Sequence, residues 1–250
     1  MKTISLFLLA LWFCLLPARR GFAASKRPDL SWTLRTVTET ELVNLGMAKR
    51  APGLNECLNI LSKLNTQEPY YILKDMRQGK KLKVPDDFNA YRHWIPLPAR
   101  LPEKFRAPEF IMMVKDLGFI GWYDHGELVG DSQACIGRRG QNTIDGLYRV
   151  DEKDAHHTSS LYHNDYGRPA WMPYSLHIYG AVWIHAGNVF GLHCSHGCIT
   201  LPIGKAEKLF KWAQKGTPVL VTDNLKNVCG PKKASELLNS LSDPRKSSDR

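Results

Sequence analysis

The hydrophobic pattern divides the chain into stretches of different grammar. Residues 4–16 (ISLFLLALWFCLL) form an apolar run behind Lys2. At 13 residues the run is shorter than the roughly 20 needed to cross a bilayer, and the small residues Gly21, Ala23 and Ala24 follow Pro17. This predicts a secretory signal cut near Ala23 or Ala24. Arg19 and Arg20 lie on the far side of the run, so an uncleaved membrane anchor is the alternative. From Ser25 to Ala107 the spacing is helical or irregular. Thr38-Glu39-Thr40-Glu41 has capping-box form and precedes Leu42 and Leu45. Leu54, Cys57, Leu58, Leu61 and Leu64 mark a second amphipathic helix. Pro85, Pro96, Pro98, Pro102 and Pro108 then predict an extended linker or wrap.

From Glu109 the period shortens. Phe110–Lys115, Phe119–Tyr123, Leu128–Ile136 and Leu147–Val150 read as strands separated by glycine turns. Ser175–Tyr179 and Val182–His185 read as a hairpin bending at Tyr179-Gly180-Ala181. Ile203–Gln214 is a helix with Ile203, Ala206, Leu209, Phe210 and Ala213 on one face and Gly216 as its C-cap, and Pro218–Val221 is a last strand. The polar tail beyond Gly230 holds at most a short helix around Ala234–Leu241. The fold expected is mostly β with one main helix, preceded by a smaller helical and irregular region. The boundaries expected are residues 1–24 for the signal, 25–108 for the front region, 109–224 for the β-rich domain and 225–250 for the tail.

Composition narrows the setting. A hydrophobic fraction of 43% and a charged fraction of 23% exclude a disordered chain, a collagen-like repeat and a multi-pass membrane protein. The formal charge is +10, and residues 1–24 carry three basic residues and no acid, so the exported form has +7. The basic residues are scattered, densest at Lys80, Lys81 and Lys83. That argues against nucleic acid and for a carboxylate-rich surface such as a bacterial cell wall, with plain solubility as the bland alternative. Export also bears on the cysteines. Five remain without Cys14, and an odd number in an oxidising compartment leaves at least one thiol free or paired between chains.

The reactive groups concentrate between Ile184-His185 and His193-Cys194-Ser195-His196-Gly197-Cys198-Ile199-Thr200. Three chemistries fit them. In the first, Cys198 is a nucleophile whose thiolate is favoured by the helix starting near Ile203. His185, reaching across from a neighbouring strand, is the better candidate for its base than the adjacent His196. The amides around Gly197 and Cys198 bind the developing oxyanion. In the second, His185, His193, Cys194, His196 and Cys198 hold zinc, although their spacing matches no common zinc pattern. In the third, Cys194 and Cys198 form a structural disulfide and the segment is inert.

Ser195-His196-Gly197-Cys198-Ile199, followed by Leu201 and preceded by Ile184-His185, resembles the signature of the L,D-transpeptidase family with its YkuD-type catalytic domain. The resemblance runs from about Glu109 to Asp223. It takes in the hairpin around Asp124-His125-Gly126, the segment Ala134-Cys135-Ile136-Gly137, Pro173-Tyr174 and Tyr179-Gly180, and the closing helix and strand. It implies a β-sandwich-like domain that needs no cofactor and no metal. Such a domain attacks the bond between diaminopimelate and the terminal D-Ala of a peptidoglycan tetrapeptide stem, forms a thioester, and passes the acyl group to an amine, either of a second stem or of a protein. It further implies Cys198 as nucleophile and His185 as base, with the carbonyl of Ala186 or Gly187 orienting that base. His196 and Gly197 would shape the oxyanion side. Tyr174, Tyr179, Trp183, Ser195 and Thr200 would line the substrate. Arg138, Arg139, Arg149 and Arg168 are candidates for a substrate carboxylate.

Three departures from the family pattern stand out. Thr200 replaces the usual Arg or Asn, Thr143-Ile144-Asp145-Gly146 replaces the usual T-P-T-G, and the loop after His185 is short. Hydrolysis of the same bond by an L,D-carboxypeptidase or endopeptidase, and a non-catalytic wall-binding module, are the competing functions. Activity would place the protein in the periplasm or cell wall, on a membrane only if the signal stays uncleaved. The four remaining cysteines are free to form two disulfides; Cys135 with Cys229 is one of the pairings open, and the spacing does not fix the connectivity.

Overall fold

The computed structural model describes residues 30–164 and 166–229. The signal and the tail helix therefore lie outside the described residues. The front region opens with β1 (Trp32–Arg35), α1 (Glu39–Met47), α2 (Leu54–Asn65), α3 (Pro69–Arg77) and β2 (Leu82–Pro85). Thr38 caps α1 by accepting from the Glu41 N–H, as the capping-box spacing predicts. The apolar stripe of α2 is buried against Val37, Leu42, Ile72, Met76, Val84 and neighbouring residues, in a core belonging to this unit. β1 and β2 pair antiparallel, and they and α3 went unpredicted.

The β-rich part contains β3 (Glu109–Val114), β4 (Phe119–Asp124), β5 (Glu127–Gln133), β6 (Ile136–Gly137), β7 (Gly146–Arg149), β8 (Glu152–Asp154), β9 (Thr158–His163) and β10 (Pro169–Trp171). It continues with β11 (Ser175–Tyr179), β12 (Val182–Ala186), β13 (His193–Ser195), β14 (Ile199–Leu201), α4 (Ile203–Trp212), β15 (Pro218–Thr222) and the short α5 (Lys226–Cys229). A five-stranded sheet runs β5-β4-β3-β15-β7 and a four-stranded sheet runs β14-β12-β11-β8. Between them lies a core of residues such as Ile111, Ile120, Ile136, Ile184, Leu209 and Val221. The protein is mostly β, with a small helical front unit.

β3 is buried on both faces, which explains its unbroken apolar run. Its outer face, with Phe110, Met112, Phe119 and Leu220, is covered by Leu97, Leu101 and Phe105. Those residues come from the proline-rich stretch, which adopts short 3-10 turns at Phe88–Tyr91 and Glu103–Phe105 and wraps the sheet.

Two expected elements are corrected. The strand expected over Leu128–Ile136 breaks after Gln133, because Cys135 leaves the large sheet to bridge Thr200 through reciprocal backbone hydrogen bonds of 2.9 Å. The helix α4 ends at Trp212 with Ala213 as its cap, and Ile203 is exposed rather than buried. Gly216 instead serves the following turn at φ +92°.

Candidate active site

β12 and β14 are parallel neighbours with His185 opposite Thr200 and Ile184 opposite Ile199. Strand alternation sends Ile184 and Ile199 into the core and turns His185, Thr200 and Trp183 to the other face. His185 is buried, and its Nδ1 lies 2.8 Å from the Ala186 carbonyl. A carbonyl only accepts, so Nδ1 carries the proton and Nε2 keeps the lone pair. The Thr200 hydroxyl lies 3.4 Å from that Nε2. Burial, reinforced by nearby His157 and opposed by the Ala186 contact, pulls the imidazole down to about 4. At neutral pH it is an uncharged base with a fixed tautomer.

Cys198 sits one residue before β14, half-buried. Its Sγ points to the Ala181 carbonyl at 3.7 Å, and no hydrogen bond joins it to His185 among the described residues. Burial pushes this thiol up, against a hydrogen bond from the Trp183 backbone. The expectation of a thiolate favoured by a helix N-terminus is thereby corrected: β14 and Pro202 separate Cys198 from α4, so the helix dipole does not act at the sulfur. The resting pair is a neutral thiol and a neutral imidazole. The two are not hydrogen-bonded at rest, as is common before substrate binds.

The turn carrying Cys198 is bracketed from several sides. Ser195 Oγ donates to the Cys198 carbonyl at 2.6 Å and accepts from the Gly197 N–H at 3.1 Å, so the Gly197 amide expected to bind an oxyanion is already engaged. Gly197 has φ +125°, a conformation that favours glycine. Its carbonyl accepts from Thr143 Oγ1 at 2.7 Å, and Thr143 Oγ1 in turn accepts from the Gly137 N–H at 3.0 Å. Thr143 is thus a residue of the site that the sequence reading noted only as part of a turn. Lys115 supports that turn by donating to the Thr143 carbonyl and pairing with Asp145 and Asp223. Burial pulls the Lys115 ammonium down, but its hydrogen bonds to Asp145 and Asp223 outweigh this and hold it above its ordinary value.

The remaining candidates separate. Trp183 stacks on His157 at 3.9 Å and meets His177 in a tilted contact at 4.6 Å. Tyr179 stacks on Tyr148, and its oxygen accepts from the Ile144 N–H. The His196 ring stacks on Tyr162 of β9 at 4.3 Å, which joins the β9–β10 hairpin to the cysteine turn. Tyr174 stands apart: it packs on Phe210 of α4, against the core. Arg149 donates to the Gly216 carbonyl and Arg138 to Gln141.

Cys194 is bonded to Cys135, not to Cys198, which removes the inert-disulfide alternative and also the Cys135–Cys229 pairing. The geometric reason is the parallel pairing of β13 with β6, which sets the two chains side by side. With Cys194 consumed, the five-residue zinc set loses a member, and no three metal-binding side chains converge among the described residues. Cys198 and the buried Cys57 are the free cysteines among the described side chains.

Residues 108–221 match the family model described as YkuD, L,D-transpeptidase catalytic domain. Among solved structures, an L,D-transpeptidase of Enterococcus faecium is 24% identical, over 46% of this chain and 49% of its own, with a TM-score of 0.41. An L,D-transpeptidase from Mycobacterium smegmatis is 18% identical over 46% of this chain and 59% of its own, TM-score 0.41. L,D-transpeptidase 3 from Mycobacterium tuberculosis is 20% identical over 46% and 60%, TM-score 0.41. The chain therefore covers less than two thirds of each. No curated protein matches the chain.

Proposed function

We propose that this chain, whose residues 108–221 match the L,D-transpeptidase catalytic-domain model, is an exported cysteine acyltransferase working on peptidoglycan stem peptides. The observation that carries the reading is the His185 imidazole, locked by the Ala186 carbonyl with its Nε2 lone pair facing the strand edge that leads back to Cys198. Nε2 takes the thiol proton as Sγ bonds to the carbonyl carbon between diaminopimelate and D-Ala. The C–N bond breaks, the proton passes from His185 to the leaving amine, and a thioester remains. An acceptor amine then attacks that thioester, gives its proton to Nε2, and the thiol is restored.

Because both partners rest uncharged, proton transfer belongs to the attack itself and not to a standing ion pair. Incubation with tetrapeptide muropeptides tests the reading. Dimers or amine-exchanged products support transfer, and tripeptide alone supports hydrolysis. Products identical to those of Cys198→Ala would leave the chain a wall-binding module. The net positive charge and the apolar run at residues 4–16 support export to the periplasm or cell wall. N-terminal sequencing of the mature protein, expected to begin at residue 24 or 25, tests it.

A further inference from the structure

The loop between His185 and Cys198 is held from outside the catalytic domain. Glu68 occupies the N-cap position of α3, but its side chain caps no amide of its own helix. It turns away and accepts from the Val189 N–H at 2.8 Å, while the Glu68 N–H donates to the Val189 carbonyl at 2.8 Å. The neighbouring Gln67 forms an isolated antiparallel bridge with Phe190 and donates from Nε2 to its carbonyl. Tyr71, one turn into α3, lays its ring against Phe190 at 5.8 Å.

The loop is thus fixed at three places. Gly187 N–H donates to the Leu201 carbonyl, Val189 is gripped by Glu68, and the Leu192 carbonyl accepts from Ile136 N–H before the Cys135–Cys194 bond. The first and last anchors lie within residues 108–221, and the middle one does not. Val189 is fully buried, so without Glu68 its N–H would lose its acceptor away from water. That loss would fall on a short loop whose two ends carry the base and the nucleophile.

We propose that Glu68 is a positioning residue for the His185–Cys198 pair, making the front unit a working part of the active site rather than an appendage. The consequence for turnover rests on the acyltransferase reading; the consequence for the loop does not. The test compares full-length wild type with Glu68→Ala and Glu68→Gln, the amide oxygen of glutamine still being able to accept from Val189. Hydrogen exchange over residues 187–192 and the alkylation rate of Cys198 by iodoacetamide need no substrate. Glu68→Ala is expected to exchange about tenfold faster in the loop, the factor set by one lost hydrogen bond, and to alter the alkylation rate. Glu68→Gln should stay within about twofold of wild type on both. With stem peptide, Glu68→Ala should lower kcat with KM little changed.

If Glu68→Ala does not fold, Glu68→Asp, one methylene too short to reach Val189, takes its place. Unchanged exchange and alkylation in the variant that folds would overturn the proposal. So would a loosened loop with undiminished kcat. A wild type that turns over no stem peptide would count against the acyltransferase reading and leave the exchange and alkylation arms to judge the clamp.

Discussion

The Thr200 hydroxyl lies 3.4 Å from Nε2 of His185, on the only lone pair the imidazole has left to offer. In the resting site threonine therefore faces the lone pair that the thiol has to reach. Replacing it by valine keeps the branched shape suited to β14 and removes the hydroxyl. Thr200→Val should move the acid limb of the activity profile upward by up to about one pH unit, the worth of one neutral hydrogen bond. A pH–rate profile unchanged from wild type would show the contact to be inert.

His185 also links folding to pH. Its folded value, about 4, lies below the ordinary histidine value because the ring is buried. Between about 6.5 and 4 the unfolded chain therefore binds the extra proton. This stability is complete above about 6.5 and is lost as pH falls toward 4, on the order of 3 kcal/mol in all. Urea midpoints measured across that window should fall with acidity, and the fall should flatten in His185→Gln. Equal slopes in the two proteins would refute the link.

The Cys135–Cys194 bond closes a sequence separation of 59 residues. Chain entropy sets its contribution at about 4 kcal/mol. Cys135→Ser/Cys194→Ser should lower the denaturation midpoint accordingly, and dithiothreitol should lower that of the wild type but not that of the double variant.

Thr143 joins the Gly137 amide to the Gly197 carbonyl while itself only 2% exposed. Thr143→Val strands both groups, so we expect about 1–3 kcal/mol lost in stability or in kcat/KM. Recovery of wild-type rate in Thr143→Ser, against none in Thr143→Val, is the result that assigns the loss to the hydroxyl.

A carbapenem should acylate Cys198 and spare the buried Cys57 and the bonded Cys135 and Cys194. Peptide mapping by mass spectrometry reads this directly. Label on Cys57 would count against Cys198 as the nucleophile.

Much of this fold is legible wherever burial is periodic over several residues. The α2 stripe and the capping box at Thr38 follow helical spacing, and the strands around Phe110 and Phe119 show as continuous apolar runs bounded by turns. β13 and β14, three residues each, were not, because so short a segment shows no period. The site divides similarly. Ser195, Gly197 and Cys198 are contiguous and announce themselves, whereas the Thr143 contact to Gly197 spans 54 residues and the Glu68 contact to Val189 spans 121. The state of the thiol is not legible in the sequence for a related reason. Proximity in sequence to α4 suggested a helix dipole at Cys198, but the intervening strand sets that helix aside and leaves burial to govern the sulfur.

The cover that Leu97, Leu101 and Phe105 lay over Phe110, Met112 and Phe119 has a practical corollary. A fragment trimmed to the family boundary at residue 108 would bare a continuous oily sheet to solvent and invite self-association. A shortened form that keeps this sheet covered must therefore begin before Leu97.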